Sequence, residues 1–352
     1  MICRDFSGPD GVGGQYPIAT LPQHDTVGYL AHHLCTPFAS PTDKARAIFA
    51  WCHHNIAYDV DGFFGGCIPR GQSVEQSIFS GKAVCEGYAK IYQAIAIAGG
   101  LECYVVGGHG KGFGYGPLAP GQRPPPRDAT GHAWNAVRID GGQWKLIDAC
   151  WGAGNVCDKR AERYEKKFDP IHFIASNEDF GESHFPEESR HFYREDGRVI
   201  SWEEYIVPKT TEEPAILYGG AAGEGIGRKT LTPQAKNIQV HSGQVVRFQF
   251  GKICEHWTLE KHGGGKKPYL YMMHIHGVDG RKDDYVTMEY DGSFWWYADI
   301  PARDLGAPGQ QINCYALDVL NGRSARGMTA AEWRSIRAGS WNWVGIASWQ
   351  LV

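Results

Sequence analysis

Three residues of this 352-residue chain have the types and settings that thiol acyl-transfer chemistry needs: Cys85, His132 and Asp148. A free thiol is mostly protonated near neutral pH. A cysteine nucleophile is therefore activated by helix N-terminal amides, by a neighbouring imidazolium, or by both. Cys85 stands in Gly81-Lys82-Ala83-Val84-Cys85-Glu86-Gly87-Tyr88-Ala89, directly before a long apolar run, so it is expected at a helix N-terminus. His132, in Gly131-His132-Ala133-Trp134-Asn135, is the candidate base, and Asp148, sixteen residues later in Leu146-Ile147-Asp148, is its candidate orienter. The oxyanion of an acyl-transfer intermediate needs two donors. One is the Cys85 backbone N–H, and the other is sought in the preceding segment, at the side chain of Gln72 or Gln76. Trp134 and Trp151 adjoin the His and Asp motifs and are candidate substrate contacts. Each of these residues alone has a plain structural reading: a core thiol, a strand imidazole, a capping carboxylate. The order Cys, His, Asp on a helix start and two successive strands favours chemistry.

The elements that must position these groups follow from periodicity. Ser40-Pro41-Thr42-Asp43 is a helix start, and Ala47, Ile48, Trp51 and Ile56 recur at helical spacing, so a helix is expected over 41–58. A short helix is expected over 74–79. From Val84 to Ala98 apolar residues occupy nearly every face, as in a buried helix, with Gly99-Gly100 as its stop. Strands are expected at 101–106, 132–139 and 143–149, the last two joined around Asp140-Gly141-Gly142. That loop sets Ile139 opposite Gln143 and His132 opposite Cys150, which makes Asp148 the diagonal neighbour of His132 on one face. A one-residue slip would put them on opposite faces. The Gly- and Pro-rich stretch 107–131 reads as a loop beside the substrate, because it runs straight into His132.

After Trp202 the pattern changes. Residues 208–214 read as a linker, and from Ala215 short alternating segments separated by turns predict a β-sandwich over 215–352. The first domain is then 1–207, with its core from about 40. Trp295, Trp296, Trp341, Trp343 and Trp349 are expected to fill the sandwich core. The composition, with 35 basic and 39 acidic residues for a net charge of -4, carries no polycationic footprint, so neither nucleic acid nor an anionic membrane is an expected partner. No apolar run reaches membrane-spanning length and the N-terminus lacks a signal-peptide core, so a cytoplasmic location is expected. None of the ten cysteines forms a CxxC pair, and Cys52, Cys103, Cys254 and Cys314 are expected as buried reduced thiols.

Three motifs together carry a family resemblance: Gly81–Ala89 around the cysteine, Gly131-His132-Ala133-Trp134-Asn135-Ala136-Val137, and Leu146-Ile147-Asp148-Ala149-Cys150-Trp151-Gly152-Ala153-Gly154. With the upstream Ala47-Ile48-Phe49-Ala50-Trp51 and Asn55-Ile56-Ala57-Tyr58-Asp59-Val60, they resemble the transglutaminase-like superfamily of papain-like thiol enzymes over roughly residues 40–210. Pro170-Ile171-His172-Phe173-Ile174 and Ser183-His184-Phe185-Pro186-Glu187 make the chain most similar to the kyphoscoliosis-peptidase and cytokinesis-protein group. The resemblance implies an α+β, papain-like core in which a helix bearing Cys85 packs on an antiparallel sheet bearing His132 and Asp148. It implies Cys85 as nucleophile, His132 as base and Asp148 as orienter. Two departures bear on the substrate: Ser189-Arg190-His191-Phe192-Tyr193-Arg194 stands where the group often has Trp-Gln-Leu-Leu, and the 107–131 loop is longer than usual.

Other constellations point elsewhere. His274-Ile275-His276 sets two imidazoles on one strand face, but no third ligand is signalled nearby and no metal is expected. Gly108-His109-Gly110 and Gly223-Glu224-Gly225-Ile226-Gly227 lack the strand-to-helix context of phosphate loops. No calcium-loop pattern appears, and without CxxC pairs a zinc-dependent peptide N-glycanase is disfavoured. No cofactor is expected. The leading reading is an enzyme that acts on amide or acyl groups through a covalent acyl-enzyme, as peptidase, amidase or acyl transferase, on a protein or peptide. The alternatives are a non-catalytic scaffold that retains the fold and a biosynthetic enzyme that uses the same triad on a small molecule.

Overall fold

In the computed structural model the described residues are 2–67, 71–119, 121–157, 163–207, 213–336 and 338–352. The chain divides into two compact units, Met1–Lys209 and Thr210–Val352. The expected linker at 208–214 falls largely outside the described residues.

In the first unit, helix α1 (Pro41–Asn55) starts as its sequence requires, with Pro41 in the first turn and the Ser40 hydroxyl accepting the Asp43 N–H. It stops three residues short of the expected end. Ile56 leaves the helix, and Ala57–Tyr58 pairs in parallel with Lys82–Ala83. Helix α2 (Val74–Ser80) carries a reciprocal capping box between Ser73 and Gln76 and ends at Gly81, whose φ of 65° is the left-handed stop that glycine adopts at low cost. Helix α3 (Cys85–Ala98) follows at once. Its Tyr88, Ile91, Tyr92 and Ile95 are buried against Leu34, Ile48, Trp51 and Ile56 in one core.

Four antiparallel strands form the sheet: β1 (Cys103–Gly110), β2 (His132–Arg138), β3 (Trp144–Ile147) and β4 (His184–Pro186), in the order β3-β2-β1-β4. The β2–β3 register pairs Asn135 with Ile147 and Arg138 with Trp144, and the Ile139 N–H donates to the Gln143 carbonyl. This is the pairing that a loop at 140–142 dictates. Two expectations are corrected. Gly107–Gly110 belong to β1 rather than to a loop, and they pair with β4. Glycine is required there by close approach: a Cβ on Gly108 would lie 2.3 Å from the Phe185 carbonyl oxygen and 2.4 Å from the Trp134 ring. The strand expected over 143–149 ends at Ile147, where Asp148 caps a short helix, α4 (Ala149–Ala153). Asn135, buried in β2, donates to the Ala89 carbonyl of α3 and the Tyr104 carbonyl of β1, and so ties the Cys85 helix to the His132 sheet.

In the second unit the main strands are β5 (Val245–Phe250), β6 (Tyr271–Ile275), β7 (Asp284–Thr287), β8 (Trp296–Pro301), β9 (Gln311–Leu320) and β10 (Trp341–Leu351). Among the described residues they lie in a seven-stranded and a three-stranded sheet. Phe248, Phe250 and Ile300 of the smaller sheet share one core with Met273, Ile312, Cys314 and Trp349 of the larger, which makes the unit a β-sandwich. Of the five tryptophans expected in that core, Trp349 is buried and Trp296 packs partly against it, Trp295 is half-buried against Phe294 outside the core, and Trp341 and Trp343 lie on the opposite face of the large sheet with Trp333. A β-bulge opposite Cys314–Tyr315 explains this. One extra residue in β10 reverses which alternate side chains face inward. Cys52, Cys103 and Cys314 are buried free thiols as expected, but Cys254 is only half-buried.

Candidate active site

The Ala57–Tyr58 and Lys82–Ala83 pair delivers the chain to Cys85 at the first position of α3. The first turn of α2 is closed by side chains, whereas Val84, the N-cap of α3, makes no side-chain cap bond. The amides at this helix start therefore keep their donors and dipole for a ligand. The Cys85 side chain is half-buried and lines a cavity of about 440 Å³, together with His132, Trp151, Tyr58, Phe63, Gly110–Phe113, Tyr164 and His172.

His132 opens β2, and its Nε2 lies 2.7 Å from Oδ2 of Asp148. With Nε2 engaged by Asp148, Nδ1 is the ring nitrogen left to serve the Cys85 sulfur, which lines the same cavity. Asp148 is fully buried, and both of its oxygens are used. Oδ1 accepts the backbone N–H groups of Cys150 at 2.9 Å and Trp151 at 3.0 Å, the cap of α4. Oδ2 accepts from His132. The cap thus orients the carboxylate from one side while the imidazole binds the other. Burial opposes the charged form of His132, but the Asp148 carboxylate and the Cys85 sulfur override it and raise its pKa to about 9. Burial also opposes ionisation of Asp148, and the two histidines at its Oδ2 outweigh it, holding the carboxyl far below the ordinary range.

The second of those histidines is His184 of β4. Its Nε2 lies 3.1 Å from Asp148 Oδ2 and its ring stacks on Phe180 at 3.8 Å. Burial, partly countered by Asp148, lowers its pKa to about 4, so it is neutral. A neutral ring facing a carboxylate must donate from Nε2, and Nδ1 then accepts the Ser183 hydroxyl at 2.9 Å. The His-Phe-Pro segment is recognisable in the sequence, but nothing there signals a role for His184. Its placement depends on β4 pairing with the glycines of β1, and periodicity carries no signal for a three-residue strand.

The remaining candidates divide. Trp151 stacks on His132 at 4.6 Å and lines the cavity. Trp134, two residues on from His132 on the same strand face, is buried with Val106, Leu146 and Phe180 and is not among the cavity residues. Gln72 and Gln76 are exposed and do not line the cavity, and the Gln76 side chain is committed to the Ser73 N–H. Tyr58 does line it. Burial and the nearby Cys150 and Cys85 sulfurs raise the phenol's pKa, so it is a neutral O–H donor beside the thiol. The loop after β1 meets its expectation in part. Lys111–Phe113 and Gly131 border the cavity, while Pro125 and Arg127 are tethered by bonds with Trp202 and the Glu187 carbonyl.

Cys85 at a helix start faces one cavity with His132 of the antiparallel sheet, whose Asp148 partner is buried, and the comparisons fit this arrangement. Residues 29–149 match the model of the transglutaminase-like superfamily, so the first unit carries a domain of that superfamily. Within it the chain is similar to the kyphoscoliosis peptidases of Mus musculus and Homo sapiens. It is 31% identical to each, over 157 residues (42% of this chain, 21% of the relative) and 154 residues (41% and 21%). It is also 27% identical over 158 residues to the LIM and transglutaminase domain protein ltd-1 of Caenorhabditis elegans, covering 42% of this chain and 20% of that protein. The chain thus spans about a fifth of the length of the curated relatives it matches.

Proposed function

We propose that this protein is a cysteine-nucleophile enzyme acting on amide or acyl groups through Cys85, His132 and Asp148. The observation that carries the reading is His132, held at 2.7 Å by a buried carboxylate bonded on both oxygens, on the wall of the cavity that the Cys85 thiol also lines. A structural carboxylate needs no imidazole aimed from it at a half-exposed thiol.

In this reading the Cys85 thiolate attacks the substrate carbonyl carbon and the carbonyl oxygen becomes an oxyanion. The Cys85 backbone N–H and the Tyr58 hydroxyl are the donors for that oxygen; Tyr58 takes the role first sought at Gln72 or Gln76. The His132 imidazolium gives its Nδ1 proton to the leaving amine as the C–N bond breaks, which leaves a thioester on Cys85. His132 then removes a proton from water or from a second amine as it attacks the thioester, and the thiol is released. Hydrolysis and amine transfer use the same residues and differ only in the nucleophile admitted. The exposed Phe63 and Phe113 at the cavity rim favour a protein or peptide acyl donor.

The first test is alkylation of Cys85 by iodoacetamide as a function of pH, followed by peptide mass spectrometry, with His132→Ala as control. Rapid labelling that persists below pH 7 and weakens in the control is expected. Labelling that follows an ordinary thiol, with a midpoint near about 8.5, would favour the scaffold reading.

A further inference from the structure

His274 and His276 are two residues apart on one face at the end of β6, and the hairpin to β7 brings Asp283 across from His276. Nε2 of His274 lies 3.0 Å and Nδ1 of His276 lies 3.5 Å from the same oxygen, Oδ1 of Asp283, and the three ligand atoms all fall within 4.8 Å of one another. From these residues we propose a divalent transition-metal site on the β-sandwich, with Zn²⁺ the best-matched ion. The site lies within the second unit and does not depend on the function proposed for Cys85.

The bonding of His276 carries the argument. Its Nε2 lies 3.0 Å from the Gln311 carbonyl oxygen, which can only accept, so Nε2 holds a proton. In the neutral ring Nδ1 is then a bare lone pair aimed at a carboxylate, two acceptors face to face. The separation of 3.5 Å is also longer than a charge-assisted N–H···O bond, which closes to about 2.7–2.9 Å. Bonds of about 2.0–2.2 Å to a tetrahedral ion put neighbouring ligand atoms roughly 3.3–3.5 Å apart. The two measured separations, 3.0 and 3.5 Å, bracket that value. The Gln311 contact is also the outer-shell bond that fixes tautomer and ring orientation in metal-bound histidines. Tyr285 stacks on His274 at 5.0 Å and holds the second ring.

Two imidazoles and one carboxylate suit Zn²⁺ over Ca²⁺ or Mg²⁺, which prefer all-oxygen shells. Three protein ligands leave one position open. Affinity is limited by His274, whose Nδ1 is buried without a hydrogen-bond partner. With Nε2 on the metal, that atom must carry an unsatisfied proton, which weakens binding by roughly ten- to a hundredfold. The single-strand His-x-His signal lacked its third ligand in the sequence because Asp283 becomes a neighbour only through the β6–β7 pairing.

The test is Co²⁺ titration of the full chain, read by visible absorption, followed by Zn²⁺ competition. The wild type is expected to bind one Co²⁺ saturably with d–d bands and no thiolate charge-transfer band, and Zn²⁺ should displace it. Asp283→Asn, at an exposed side chain, and His276→Gln should each weaken binding at least about tenfold. Equal binding by Asp283→Asn and wild type, a thiolate band accompanying the bound ion, or no saturation below about 1 mM would each overturn the proposal. Circular dichroism establishes that the variants are folded.

Discussion

At the scale of single residues, the proposed chemistry rests on which protons His132 and His184 hold. The folded pKa of His132 is raised from 6.5 to about 9, so the fold favours its imidazolium. The sign of the linkage follows: this stabilisation is complete below about pH 6.5 and is lost as pH rises through about 9. The proton given to the leaving amine disappears over the same range. Amidase or transferase activity should therefore fall through about pH 9, and the urea midpoints of wild type and His132→Ala should converge between pH 6.5 and 9. A flat activity profile to pH 10 would disprove the acid role. His184 is a positioning residue, since it touches Asp148 and not the thiol. His184→Phe keeps an aromatic ring against Phe180 but removes the donor to Oδ2, and His184→Gln can restore one. Cys85 alkylation at pH 6 is expected to slow about tenfold in the former, from loss of a charge-assisted bond, and to recover partly in the latter. Equal rates in all three proteins would reduce His184 to a packing residue.

At the scale of elements, the spacing between the Cys85 helix and the His132 strand is set by contacts that leave little slack. Gly110, the last residue of β1, packs directly against the site. A Cβ there would stand 2.9 Å from both the His132 and Trp151 rings. Gly110→Ala forces those rings to shift with no change in any reacting group. A misplacement of this kind is expected to cost about a hundredfold in kcat/KM, while the thermal midpoint moves by only a few degrees. An unchanged kcat/KM would mean that His132 is not held in a fixed attack geometry. The signals for α1, α2 and α3 were strong in the sequence because caps and glycine stops act locally. The β1–β4 pairing was not legible, because its glycines are selected by close neighbours from a distant segment.

At the scale of the whole molecule, two separate cores, one around Trp51 and Tyr92 and one around Phe248 and Trp349, bury the interiors of the two units. Among the described residues no helix is long and apolar enough to cross a membrane. Because each core is built from one unit's own residues, residues 1–209 are expected to fold alone. Such a fragment should unfold cooperatively in urea and label at Cys85 within about twofold of the full-chain rate, since alkylation needs only groups of its own unit. Non-cooperative unfolding of the fragment would show that the first unit depends on the second.

The sequence by itself determined the helix that starts at Cys85, the hairpin register that brings Asp148 to His132, and the division into an α+β unit and a β-rich one. Each of these follows from local rules: an apolar run closed by a glycine stop, a three-residue turn, and the change of period from helical to alternating. Only the tertiary structure decided the partners that close each site. It placed His184 on Asp148 and Tyr58 in the cavity while leaving Gln72 and Gln76 outside it. It moved Trp341 and Trp343 to the outer face through a one-residue bulge, and it set Asp283 against His274 and His276. Spacing along a chain fixes which face a residue occupies within its own element. Which residue of another element meets that face is fixed only when the elements pack.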